Sequence, residues 1–234
     1  MNCPQQTTPV LCPQEAQDGF LHSPGRSKRA YDIAKRAMDL ALALPLLVVA
    51  IPIIAMAGLM IALISPGPIF YFQNREGLHG RRVRIWKLRT MVADAEQLLE
   101  QYLIREPRAR SDWEQYMKLH RDPRVIPVLG SFLRRYSIDE LPQLFNVAIG
   151  EMSLVGPRPF PDYHLERFPA EFRELRKQVL PGITGLWQVT HRSDADLSLQ
   201  QAADTAYIRS RSVWVDLWIL LRTVPTVLSG RGAY

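Results

Sequence analysis

Two adjacent acids, Asp139 and Glu140, follow a pair of arginines, Arg134 and Arg135, and nineteen residues beyond Asp139 another arginine, Arg158, stands between Pro157 and Pro159. An arginine guanidinium is a planar fork of donors that meets phosphate oxygens in pairs. Prolines on both sides of Arg158 stiffen its main chain, so little entropy is lost when the side chain is held. A carboxylate flanked by guanidinium groups stays ionised, and an ionised aspartate can attack phosphorus to give an aspartyl phosphate. Its neighbour can help to hold Mg2+, which prefers hard oxygen ligands shared with substrate phosphates, so Asp139 and Glu140 are also the candidate metal ligands. The local alternative is a capping box, with Ser137 as N-cap and Glu140 at the third helical position. Pro142 counts against that box, because it would fall at the fifth helical position, where its ring and missing N–H both cost stability. A helix starting one or two residues later would keep Pro142 in its first turn and leave the acids at the positive end of the dipole. On these residues alone, cap and catalyst both stand open, as does a plain surface turn for Arg158.

The element that would bring such a centre to a membrane lies upstream. Leu40 to Ile64 is a run of 25 residues without a charge, and at about 1.5 Å per residue a straight helix of that length crosses a hydrocarbon core of about 30 Å. Pro52 lies at its midpoint and Pro45 earlier in its first half, and proline bends a helix. Basic residues flank both sides: Arg26, Lys28, Arg29, Lys35 and Arg36 before it, then Arg75, Arg81, Arg82, Arg84, Lys87 and Arg89 after it. Because basic flanks prefer the cytoplasm, both ends claim the same side. This predicts a re-entrant membrane helix over residues 31–66, bent near Pro52, with a single kinked spanning helix as the alternative. Residues 1–30 read as a flexible tail, and 67–234 as a catalytic domain on the cytoplasmic membrane face.

Beyond Pro66-Gly67-Pro68, residues 69–74 and 82–88 flank a turn containing Gly77 and Gly80, which predicts a short β-hairpin. Helical patterns follow at about 91–104 and 109–120. The run 160–178 reads as a surface helix. Trp187-Gln188-Val189 reads as strand-like. Val213–Leu228, with Trp214 and Trp218 interrupted by Asp216 and Arg222, reads either as an interfacial helix or as one packed on the core. The fold class expected is α+β and helix-dominated: the re-entrant helix, a short β-hairpin, and a catalytic domain with interfacial amphipathic helices.

Composition narrows the partners. A net charge of +6 and a pI near 9.5 point to anions, whether nucleic acid, anionic lipid or phosphorylated substrates. No nucleic-acid-binding module appears, and after position 90 the basic residues are interleaved with acids, so nucleic acid is not expected as a partner. Cys3 and Cys12 are the only cysteines, which argues against a disulfide framework or a zinc site and for a reducing, cytoplasmic setting. His120-Arg121-Asp122 imitates a kinase catalytic loop, but Pro123 follows and no glycine-rich loop accompanies it. Asp122-Pro123-Arg124 reads as a turn.

Taken together, the motifs resemble those of the monotopic phosphoglycosyl transferases, the bacterial sugar transferases that begin glycan assembly on polyprenyl phosphate. The matching residues are Lys35-Arg36-x-x-Asp39, Gln73-Asn74-Arg75-x-Gly77, Lys87-Leu88-Arg89-Thr90-Met91, Asp139-Glu140-Leu141-Pro142-Gln143-Leu144, Gly150-Glu151-Met152-Ser153, Val155-Gly156-Pro157-Arg158-Pro159 and Pro181-Gly182-Ile183-Thr184-Gly185. They occur in the family's order over about 200 residues, too many to arise by chance. The resemblance implies a UDP-sugar donor, a polyprenyl (undecaprenyl) phosphate acceptor, Mg2+, and a location at the bacterial inner membrane. It implies that Asp139 attacks the β-phosphate and releases UMP, that Glu140 assists as base or through Mg2+, and that Arg134 and Arg158 bind phosphates. Lys87 and Arg192 would line the nucleotide-sugar side; as bare residues they read equally as a surface lysine and a loop arginine. In length and ending the chain looks most like the exopolysaccharide-initiating members, which transfer galactose or glucose phosphate, and a homodimer is compatible with it. One departure is clear: the family has Ser-Pro at the bend of its membrane helix, and here the pair is Ile51-Pro52. Two other readings compete, a lipid-acceptor glycosyltransferase releasing UDP and a non-enzymatic basic membrane-binding protein.

Overall fold

The computed structural model describes residues 26–116, 119, 122–190 and 197–229. Most of the expected tail therefore lies outside the described residues, and Arg26–Ala30 already belong to the first helix. That helix, α1 (Arg26–Ile64), is continuous and carries Pro45 and Pro52 within it. Ala43, Ala50, Ile54, Ala57 and Ile61 are buried along one seam, at spacings of seven, four, three and four that keep them on one helical face. The other faces are apolar and exposed, with Val48, Val49, Met56, Leu59 and Leu63 all more than half accessible. In water such a surface would drive association; it suits a hydrocarbon environment.

Both ends of α1 are held by the rest of the chain. Near the start, Lys35 Nζ lies 3.0 Å from Asp216, Arg36 donates to the carbonyls of Val147 and Ala148, and Asp39 accepts from Ser153 Oγ at 2.7 Å and Leu154 N at 3.1 Å. At the far end Arg89 donates to the carbonyl oxygens of Ser65 and Pro66. A guanidinium there satisfies carbonyls that have no partner within the helix and complements the negative end of the dipole. Gly67, at φ +115°, lies so close that an added Cβ would sit 2.1 Å from Arg89 Nη1, so both its backbone conformation and its missing side chain are needed.

The predicted hairpin is present as antiparallel β1 (Phe70–Glu76) and β2 (Arg82–Leu88), with Phe70 opposite Leu88 and Glu76 opposite Arg82. One face carries Phe70, Phe72 and Trp86, whose rings meet edge to face. Because side chains alternate along a strand, the other face carries Tyr71, Gln73 and Arg75 opposite Lys87, Ile85 and Val83. Helices α2 (Ala95–Arg105) and α3 (Pro107–Tyr116) follow. The expected turn at Asp122 is stapled by its own carboxylate, which accepts from the Arg124 backbone N–H at 3.0 Å. Helix α4 (Leu129–Arg135) leads through a 3-10 turn (Ile138–Glu140) into α5 (Gln143–Ile149).

Asn146 joins α5 to the hairpin, accepting from Trp86 N and donating to the Arg84 carbonyl and Glu151. Two further strands, β3 (Ser153–Val155) and β4 (Gly182–Thr184), run parallel. Between them, residues 160–178 form two short helices, α6 (Asp162–Leu165) and α7 (Ala170–Arg176), and not one surface helix. Pro169 separates the two, and Phe160, Leu165, Phe168 and Phe172 turn inward as a second apolar cluster. Trp187-Gln188-Val189 is likewise helical, within α8 (Leu186–Thr190); three residues are too few for alternation to distinguish strand from helix. Helix α9 (Leu197–Ser210) and helix α10 (Val213–Ser229) complete the described chain. Helix α10 buries Asp216 and Ile219 while Trp214, Leu221, Val224 and Leu228 stay exposed. The described residues are thus helix-dominated with the expected short hairpin, and the parallel β3–β4 pair is a second sheet that the sequence reading did not include.

Candidate active site

The hairpin, the 3-10 turn and the β3–β4 pair converge on the acids. Asp139 and Glu140 lie in the 3-10 turn, and Asp139 is buried. Ser137 adopts a left-handed conformation, φ 55°, and its side chain makes no capping bond; the capping box is not formed. Pro142 directly precedes α5, where its missing N–H costs no helical bond.

Lys87, from the inner face of β2, donates to Glu140 Oε1 at 2.7 Å, and Arg158 Nη2 donates to the same oxygen at 2.9 Å. Burial opposes ionisation of Glu140, but these two cations outweigh it and hold its carboxyl well below the usual carboxylate range. Asp139 stands differently. Burial and the charge of Glu140 push its carboxyl up to about 6, against the pull of Lys87, Arg134 and Arg158. Among the described residues, neither Asp139 oxygen accepts a hydrogen bond. Arg134, on α4, faces Asp139 and is anchored by its Nε to Thr90 Oγ1 at 2.9 Å.

Arg158 owes its position to the packing of two motifs. Gly156 N donates to the Thr184 carbonyl and Gly182 N to the Pro157 carbonyl, each at 2.9 Å. A Cβ on Gly182 would fall 2.1 Å from Gly156 N, so the two loops can approach only without side chains. Below them Arg176 bonds both Asp204 and the Arg158 carbonyl oxygen, and lies over the Phe160 ring at 4.6 Å. This buried pair fixes the main chain from which Arg158 reaches Glu140.

Of the residues singled out in the sequence, Lys87, Arg134, Asp139, Glu140 and Arg158 meet in one cluster. Arg192 lies outside the described residues. Three contributors went unassigned. Thr90 anchors Arg134, Arg176 holds the Arg158 loop, and Arg75 projects from the same hairpin face as Lys87 toward Arg158 and Glu140. Thr90 and Arg75 belong to motifs already singled out, so the signal was present; nothing local marked Arg176. The donor set suits a hard divalent cation: one carboxylate without a hydrogen-bond partner among the described residues beside a second whose Oε2 is not used by Lys87 or Arg158. No cluster of three or more acid, His or Cys ligands exists among the described residues, so any such ion would depend on the substrate for ligands.

Residues 30–230 match the sequence profile of the bacterial sugar transferases. The chain belongs to that family. It is 43% identical over 168 residues to the undecaprenyl-phosphate galactose phosphotransferase of Salmonella typhimurium, covering 72% of this chain and 35% of that protein. To the exopolysaccharide production protein ExoY of Rhizobium meliloti it is 41% identical over 180 residues, covering 75% of this chain and 78% of that protein. To the UDP-glucose:undecaprenyl-phosphate glucose-1-phosphate transferase of Caulobacter vibrioides it is 41% identical over 183 residues, covering 75% and 62%. The chain spans only 35% and 37% of the Salmonella protein and of the UDP-galactose-lipid carrier transferase of Erwinia amylovora. The matched region of this sugar transferase includes every residue of the cluster.

Proposed function

We propose that this sugar transferase moves a hexose 1-phosphate, galactose or glucose phosphate, from a UDP-hexose to polyprenyl phosphate at the cytoplasmic face of the inner membrane, beginning an exopolysaccharide. The observation that carries the reading is the asymmetry of the acid pair: Glu140 is doubly clamped, while Asp139 is buried, accepts no hydrogen bond among the described residues and is ringed by cations. In the first step an Asp139 oxygen attacks the β-phosphorus, the bond to the bridging oxygen breaks, and UMP leaves with that oxygen. In the second, a phosphate oxygen of the lipid attacks the same phosphorus and the Asp139 carboxylate is released. Arg134 and Arg158 hold phosphate oxygens, and Lys87 keeps Glu140 ionised and in place. Asp139 and Glu140 are the residues that would hold Mg2+, which would neutralise charge on the transferred phosphoryl group.

Contacts at the two ends of α1 support the re-entrant topology as well. Residues at both ends of α1 bond to one catalytic domain, through Lys35, Arg36 and Asp39 at one end and Arg89 at the other, which supports a helix that enters and leaves by one membrane face. The exposed apolar residues of α10 would lie at headgroup level with Trp214. The test is which nucleotide appears when the protein in nanodiscs receives UDP-hexoses, Mg2+ and polyprenyl phosphate. UMP that depends on Asp139 supports the reading; UDP would replace it with glycosyl transfer.

A further inference from the structure

Arg75 is the cation of this cluster that the reaction as drawn does not use. It stands on β1 with Gln73 and Tyr71, on the hairpin face opposite Val83, Ile85 and Lys87. Lys87 from that face reaches Glu140, so the face looks toward the acids. Gln73 Oε1 accepts from Arg75 Nη2 and orients the guanidinium. Among the described residues no carboxylate pairs with Arg75. Its charged neighbours are Arg158 and, more weakly, Glu140, with Tyr163 and Tyr71 beside it, and burial together with the repulsion of Arg158 lowers its proton affinity to about 10. A guanidinium partly withdrawn from water beside another is unfavourable unless an anion joins them.

The two sides of the acid pair also differ. Arg134 interacts most with Asp139, then with Asp122 and Arg124 and least with Glu140, whereas Arg75 interacts with Arg158 and, more weakly, with Glu140. Among the described residues, Arg75, Lys87, Arg134 and Arg158 together face Asp139 and Glu140, while Asp122 is already engaged by Arg124. Among the described residues the cluster is net positive even before a Mg2+ joins it, which favours an anion such as a diphosphate.

We infer that Arg75 is a donor-phosphate ligand, forming with Arg158 a two-arginine clamp on the diphosphate of the nucleotide sugar, on the Glu140 side of the acid pair. The inference rests on the proposed phosphosugar transfer and adds a residue and a substrate side to it. The clamp holds the donor's bridging oxygen and α-phosphate as Asp139 approaches the β-phosphorus, and leaves the Arg134 side for the second substrate.

The experiment compares Arg75→Gln and Arg75→Lys with the unaltered full chain in nanodiscs, reading KM separately for UDP-hexose and for polyprenyl phosphate. Loss of a charge-assisted phosphate contact raises the UDP-hexose KM of Arg75→Gln about 10- to 100-fold, with the polyprenyl phosphate KM within twofold and Arg75→Lys in between. A rise confined to the lipid, or no change in either KM, overturns the inference. Because Arg75→Gln could disturb the hairpin, UDP-hexose binding by equilibrium dialysis is measured in an Asp139→Asn background with thermal unfolding alongside. Weaker donor binding at an unchanged melting temperature supports the clamp; unchanged binding overturns it. Failure of the unaltered protein to release UMP would instead remove the transfer reaction itself, so the two failures are distinguishable.

Discussion

Two buried polar networks, the dock of α1 and the acid pair, are built to opposite rules. At the dock of α1, every acid is satisfied. Asp216 accepts from Tyr31, Lys35 and Tyr207 within 3.0 Å, and Asp39 from Ser153 and Leu154. At the acid pair, among the described residues, Glu140 is bonded through one oxygen and Asp139 through neither. A fully bonded network in low dielectric rigidifies what it joins, whereas a buried carboxylate without donors is costly and is tolerated where chemistry needs it. The dock thus holds the apolar helix α1 to the rest of the chain, and the acid pair keeps free the carboxylate for which we propose the role of nucleophile.

The contrast can be broken at its sharpest point by Asp139→Asn, which keeps shape and removes charge. Turnover should fall at least about 1,000-fold, while the melting temperature holds or rises because an unpaired buried carboxylate is gone. A parallel fall in both would put Asp139 in the structural class with Asp216. Conversely, Asp216→Ala removes the acceptor shared by Lys35, Tyr31 and Tyr207, of which Tyr207 keeps the Val155 carbonyl, and should destabilise by about 3 kcal/mol in denaturant titration, and its remaining folded fraction should keep its donor KM. Gly182→Ala, forced against the Gly156 backbone, should cost about 2 kcal/mol and lower turnover through Arg158.

The pH profile sharpens the comparison further. In the proposed reaction Asp139 attacks in its ionised form, and its carboxyl is pushed up to about 6, so the rate of UMP release should fall on the acid side of that value, approaching tenfold per pH unit. Glu140 raises the Asp139 value, so in Glu140→Gln the acid limb of the residual activity should move to lower pH; a limb that stays in place would assign it to another group. The smallest effect is expected at the exposed pair of Arg82 and Asp162. Arg82→Gln should change stability by less than about 0.5 kcal/mol.

The sequence made the catalytic network more legible than the dock. Acids, arginines and glycine–proline turns are local signals, and Lys87-Leu88-Arg89-Thr90-Met91 proves to be a run in which Lys87 orients Glu140, Leu88 is buried, Arg89 caps α1 and Thr90 anchors Arg134. The hairpin was readable because alternation and two glycines agree over nearly twenty residues. Asp216 was not readable as a keystone. Set among tryptophans and leucines, it looked like an interruption of an apolar helix, and its partners Tyr31 and Lys35 lie more than 180 positions away. The parallel pairing of β3 with β4 was invisible for the same reason: three-residue strands carry no period, and their contact depends on chain between them. In 160–178, charges suggested a surface helix, but Pro169 and the inward phenylalanines decided the outcome.

The central claim is a covalent bond between Asp139 and the phosphosugar. The most direct measurement mixes the protein with UDP-hexose labelled in the sugar, without lipid acceptor, and asks whether label stays on the denatured chain. The account predicts label retained in step with UMP release, discharged by polyprenyl phosphate, and absent from Asp139→Asn. UMP formed only when acceptor is present, with no label on the protein at any time, would contradict it.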